Sequence, residues 1–128
     1  MVWSAYHGKN YDGSNLDDWC VPVTYMESIM VKVGILARLE AKPGKEQEVA
    51  NFLSSALPLA RAEPDTITWY AIQIGPSTFG IFDTFPADTG RQAHLAGPIA
   101  AALMANAADL LSEPPDLKMI DILAAKGA

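Results

Sequence analysis

A single cysteine, Cys20, leaves the chain without a partner for an intramolecular disulfide. It also removes every cysteine-based zinc motif. Cys20 reads as an ordinary small apolar residue, and an unpaired thiol fits a reducing, cytoplasmic setting. Basic charge is scarce as well. Nine Lys and Arg face fifteen Asp and Glu, for a net charge of −6, and no dense basic run occurs. Binding to a phosphate backbone needs a basic face, and so does adsorption to an anionic bilayer. Neither a nucleic acid nor a membrane is therefore an expected partner. No stretch is apolar and long enough to span a bilayer. The first thirty residues lack the basic start and apolar run of a signal peptide. There is no Gly-x-Ser-x-Gly elbow, no P-loop and no dinucleotide-binding glycine fingerprint. The two histidines, His7 and His94, have no spacing that supports a shared metal. No metal and no other cofactor is expected.

What is present is the material of one domain. The chain has 128 residues, half of them hydrophobic, enough for a core that needs no staples. Residues 1–30 differ from the rest. They hold Trp3 and Trp19 and three of the four tyrosines, with turn signals at Tyr11-Asp12-Gly13-Ser14 and no periodicity. Aromatics are unusual in a plain disordered tail. Two readings stand for this arm: it lies on the body or on a partner subunit, or the natural chain starts at Met26 or Met30. The body is expected over 31–128.

VKVGILARLEA (31–41) alternates, with Val31, Val33, Ile35, Ala37 and Leu39 on one face, as a strand does. Lys42-Pro43-Gly44-Lys45 ends it. A helix is expected over 45–62, with Val49, Phe52, Leu53, Ala56 and Ala60 as its stripe. Pro58 should kink it near Ser54 to Leu57. TWYAIQIGPSTFGIFDTF (68–85) reads as two strands joined at Gly75-Pro76-Ser77. Asp88 is the expected N-cap of a second helix running to about Ala96. Gly97-Pro98 interrupts it, and a further helix starts at Pro98. Glu113-Pro114-Pro115 stops that helix, and DLKMIDILAA (116–125) is the last strand. The order is strand, helix, strand, strand, helix, strand, which is the α+β ferredoxin-like βαββαβ sandwich.

Such a sheet has helices on one face only, and here the other face cannot be very polar. Leu36, hairpin aromatics and several apolars of the fourth strand do not all fit under two helices. Burying one large apolar side chain contributes roughly 1.5 to 3 kcal/mol. Half a dozen left wet would forgo an amount comparable with a domain's whole stability, about 5 to 15 kcal/mol. A second copy of the sheet in a two-fold homodimer is the expected cover. The N-terminal arm is the other candidate.

ARLEAKPGKEQE (37–48), AEPDTITWYAI (62–72), TFGIFDTF (78–85) and GRQAHLAGP (90–98) together resemble the antibiotic biosynthesis monooxygenase family of dimeric α+β barrels. The likeness lies in a strand ending in Lys-Pro-Gly, a Glu-Pro before the second strand, an aromatic hairpin and a helix carrying Ala-His-Leu. It implies a homodimer of face-to-face sheets, with a pocket between each sheet and its helices. It also implies oxygenation of quinol-like or anthrone-like aromatics by dioxygen without metal or flavin. A deprotonated, electron-rich phenol reduces oxygen itself, given a dry pocket and a proton acceptor.

By this resemblance His94 is the candidate catalytic base, and histidine titrates in the right range. On an unbroken helix His94 would point away from the apolar stripe, so the role depends on the Gly97-Pro98 break. Trp69, Asp83, Phe85, Arg91 and Arg38 are the candidate ligand-binding residues. Trp69 matches an aromatic position of the family, but both it and Phe85 read more readily as core or dimer packing residues. Phe85 stands where haem-degrading relatives carry tryptophan, and strand one lacks their asparagine, which argues against haem degradation. Asp83 shares a face with Ile81 and Phe85. Once buried, it would need a partner, for which Arg38 and Arg91 are the candidates. Either arginine could instead stabilise an enolate. The expected ligand is a small apolar aromatic. A dimeric ligand-binding or accessory protein on the same scaffold is the competing expectation.

Overall fold

A computed structural model describes residues 30–127. The arm, with Cys20 and His7, lies outside the described residues apart from Met30. Four strands form one antiparallel sheet: β1 (Val33–Glu40), β2 (Thr68–Gln73), β3 (Thr78–Phe85) and β4 (Asp116–Asp121), in the order β2-β3-β1-β4. Helices α1 (Glu46–Ser55) and α2 (Leu57–Arg61) link β1 to β2. Helices α3 (Asp88–Leu95) and α4 (Pro98–Leu110) link β3 to β4. This is the ferredoxin-like arrangement expected from the order of elements.

The prolines divide the helices. Pro58 sits in the first turn of α2, where a missing N–H costs nothing, and α1 ends at Ser55. Pro98 likewise opens α4 after the extended Gly97. Asp88 is not the N-cap of α3. Ala87 holds that position, and Asp88 stands in the first turn, where a carboxylate meets the positive helix end. Strand β4 ends at Asp121 rather than 125, and Leu123 is exposed.

Cross-strand pairs place Ile35, Ala37, Leu39, Phe79, Ile81, Asp83 and Phe85 on the helix-covered face, all buried. Val49 and Leu53 of α1 and Leu103 of α4 close the core above Leu39 and Ile81. Trp69 on β2 packs against Ala56, Ala60 and Ile99. Among the described residues the other face stays open. Leu36, Tyr70 and Ile72 are exposed there, and Tyr70 stacks on the half-buried Phe82 at 6.4 Å between ring centroids. The fourth strand adds less to this face than expected. Leu117 and Met119 pair with Ala37 and Ile35, so they lie on the helix side, exposed at the β4 edge beyond the helices. Of its apolar residues only Ile120, opposite Gly34, joins the open face, beside Lys118 and Asp116.

Candidate functional site

The break at Gly97 gives α3 its own axis, and this decides where His94 points. Gly90 and His94, one turn apart, are the buried residues of α3. Gly90 permits close approach, since a Cβ there would stand 2.9 Å from the Asp65 Cβ. His94 is thereby set against β3 with only 7% of its surface exposed.

Both of its ring nitrogens are engaged. Nε2 lies 3.0 Å from Asp83 Oδ2, and Nδ1 lies 2.6 Å from Glu63 Oε1. Asp83 comes from β3 and is 1% exposed. Glu63 comes from the connection between α2 and β2, and its side chain is 17% exposed. Thr66 Oγ1 donates to the same Glu63 oxygen at 2.7 Å. The Phe85 ring, fully buried, tilts against the imidazole at 5.4 Å between centroids. Burial acts to depress the His94 pKa. Hydrogen bonds to Asp83 and Glu63, with their negative charges, outweigh it, and the net result lies above the ordinary value of 6.5.

Three buried polar atoms around this array have no hydrogen-bond partner among the described residues: Asp83 Oδ1, Glu63 Oε2 and Trp69 Nε1. Trp69 is the direct cross-strand neighbour of Asp83, so two of the three belong to paired residues. One is a donor and one an acceptor.

The arginines take other places. Arg38 lies on the open face, 54% exposed, 3.8 Å from Glu40 and separated from Asp83 by the sheet. Arg91 is committed to Asp88 at 2.8 Å and donates to the carbonyls of Gly34 and Ile120 at 3.2 Å each. It ties α3 to β1 and β4. Neither arginine is the partner of Asp83; that partner is His94. Strand parity carried the signal for Arg38, which shares its face with Leu36 and never faces Ile81 or Phe85. Glu63 was missed as a site residue because Glu63-Pro64-Asp65 reads as a helix stop. Its only earlier signal is the Glu-Pro before the second strand.

Among the described residues no cluster of His, Cys, Asp and Glu is arranged to hold a metal ion, and no helix is long and apolar enough to cross a membrane. A cleft of about 190 Å³ lies between α1 and the free edge of β2, lined by Ala50, Leu53, Ser54, Ala71, Gln73 and Phe79 among others. His94, Asp83 and Trp69 do not line it.

The crystal structure of the NE2512 protein of unknown function from Nitrosomonas europaea is 61% identical to this chain. The match covers 76% of this chain and 94% of that one, with a TM-score of 0.75. The two proteins belong to one family. Its fold is that of the antibiotic biosynthesis monooxygenases. A protein of Nitrosomonas europaea provisionally assigned to those enzymes matches with a TM-score of 0.67 at 15% identity, over 75% of this chain and 94% of its own. Rv0793 of Mycobacterium tuberculosis matches with a TM-score of 0.65 at 15% identity, over 76% and 99%. At such identities the likeness is one of fold. No protein-family model and no curated protein matches the chain. What the chain shares with these proteins is therefore a scaffold.

Proposed function

We propose that this protein is a homodimeric, cofactor-independent monooxygenase acting on a small aromatic or quinol-type metabolite with dioxygen. The observation that carries the proposal is the buried Asp83–His94–Glu63 array beside the unpartnered Trp69 Nε1 and Asp83 Oδ1, within a monooxygenase fold. A proton acceptor in a dry setting is what such chemistry asks of a protein. Removal of a phenolic proton leaves an electron-rich anion. That anion supplies the electrons to dioxygen, and loss of water from the resulting hydroperoxide leaves a ring carbonyl. His94 is the acceptor in this reading, with Asp83 holding the opposite ring nitrogen and fixing its orientation. Trp69 Nε1 donates to the substrate oxygen, and Phe85 supplies an apolar wall. Arg38 and Arg91 have no part in it, given where they lie.

The homodimer is the part of the proposal that the open face supports. Leu36, Tyr70, Ile72 and Phe82 form an apolar patch, and Arg38, Glu40, Asp116 and Lys118 at its end bring both signs of charge. A two-fold axis could pair those charges across such a surface.

A second reading rests on the cleft beside β2. A small apolar ligand held there, away from His94, would make the protein a binding or accessory protein. Oxygen uptake with a panel of reduced quinols and anthrones separates the two. Uptake above the spontaneous rate that falls in folded His94→Gln supports the monooxygenase and its base. Uptake unchanged by the substitution keeps the enzyme and removes His94 from the chemistry. No uptake, with aromatics still raising the melting temperature, favours the binding protein.

A further inference from the structure

Carboxylates only accept hydrogen bonds, so two ionised carboxylates on one imidazole require both ring protons. A neutral ring has one donor and can satisfy only one of them. The two are not equivalent. Asp83 is 1% exposed on a strand paired on both sides, with no route to water. Glu63 is 17% exposed and sits on a connection rather than in the sheet, although its Oε2 is itself buried beside Gly97. An unpaired carboxylate is costly when buried and harmless in water. A singly protonated His94 therefore keeps Nε2–H on Asp83 and loses Glu63. The Glu63 side chain, together with Asp65 against Gly90, ties the connection to α3. Its Oε1 holds His94 and Thr66 together, and its Oε2 is already without a partner.

We propose that Glu63 is a proton-controlled latch: when His94 gives up one proton, Glu63 swings outward, residues 62–67 loosen, and His94 Nδ1 becomes a free acceptor open to water or a substrate hydroxyl. The described arrangement is then the closed form, in which the ring has no lone pair to offer. Other charged groups near the array do not compete for it. Asp88 and Arg91 on α3 pair with each other, and Asp65 lies against Gly90. Arg38 and Glu40 of β1 lie on the opposite sheet face, and Asp109 is near the far end of α4. The latch rests on this geometry; its bearing on turnover rests on the monooxygenase reading.

The test is NMR on the full chain. The His94 ring titration is followed together with hydrogen exchange of the backbone amides of 62–67. We expect exchange there, corrected for its intrinsic rise with pH, to increase about tenfold or more across the ring titration, the scale of one charge-assisted hydrogen bond. Amides of β1 and β3 should keep their protection. In Glu63→Gln, whose amide can pair with either ring form, the step should vanish. If that variant does not fold, Glu63→Asp serves, and its step should shrink. The latch is overturned by an absent step in the wild type, by a full step persisting in the variant, or by a step shared with β1 and β3. No substrate enters the measurement, so an enzyme without a latch would still take up oxygen, and a latch without an enzyme would still exchange.

Discussion

His94 Nε2 stands 3.0 Å from Asp83 Oδ2, and both groups are almost sealed from solvent. This pair joins α3 to β3, and it explains how a carboxylate can sit among Ile81, Phe79 and Phe85. Asp83 is tolerated there because the ring beside it donates to it, and the pair of carboxylates holds the His94 pKa above its ordinary value.

Removing the ring should therefore cost far more than removing an average side chain. His94→Ala leaves Asp83 buried without its partner, and breaking such a pair costs about 3–5 kcal/mol. Urea denaturation of the two proteins gives the difference. A loss no larger than that of a surface substitution would mean that Asp83 finds another partner.

Stability should depend on pH through the same ring. The His94 pKa is raised on folding, so its contribution is complete below the ordinary value of 6.5 and is lost as pH climbs through the higher folded value. Melting temperature should fall on the alkaline side of 6.5 in the wild type, and His94→Gln should flatten that decline. A wild-type profile that rises through this window contradicts the assignment.

Gly34 touches the site from behind. A Cβ at this position would lie 2.6 Å from the Asp83 backbone oxygen, and strand pairing leaves that atom no room to retreat. Gly34→Ala should destabilise by about 1–3 kcal/mol, as overpacking does. It should also displace the His94 ring resonances, because Asp83 must move. Denaturation and an NMR spectrum check both.

The open face should hold two chains together. Light scattering at micromolar concentration should give twice the chain mass for the wild type. Tyr70→Glu, at a position 52% exposed and stacked on Phe82, should weaken association about tenfold or more while leaving the circular dichroism unchanged. A monomeric wild type would sink the homodimer.

Much of the fold was legible because its signals are local. Alternation in residues 31–41, the aromatic and β-branched runs of 68–85, helical stripes and the breaks marked by Pro43, Pro58 and Pro98 are each set within a few residues. The site is not local. Its three ionisable groups come from β3, the α2–β2 connection and α3, and only the packed sheet brings them together. The need for a partner at Asp83 could be read from its strand face. The choice of an arginine followed charge alone, whereas strand parity separates Arg38 from Asp83 and the short reach of α3 delivers His94. The size of the fourth strand's contribution to the open face also depended on register. One position of offset decides whether Leu117 and Met119 or Lys118 and Ile120 face a second sheet.

Strand β1 is synthesised before the other three, yet it ends up between β3 and β4. Its pairing with β4 joins Val33 to Asp121 and Arg38 to Asp116, nearly the full length of the domain apart. A growing chain must therefore hold β1 with one edge bare until the last strand emerges from the ribosome. Loops of that span close late and slow the search. Refolding should be rate-limited by this closure, and the apolar alternation of β1 is the stretch most in need of chaperone cover in the interval.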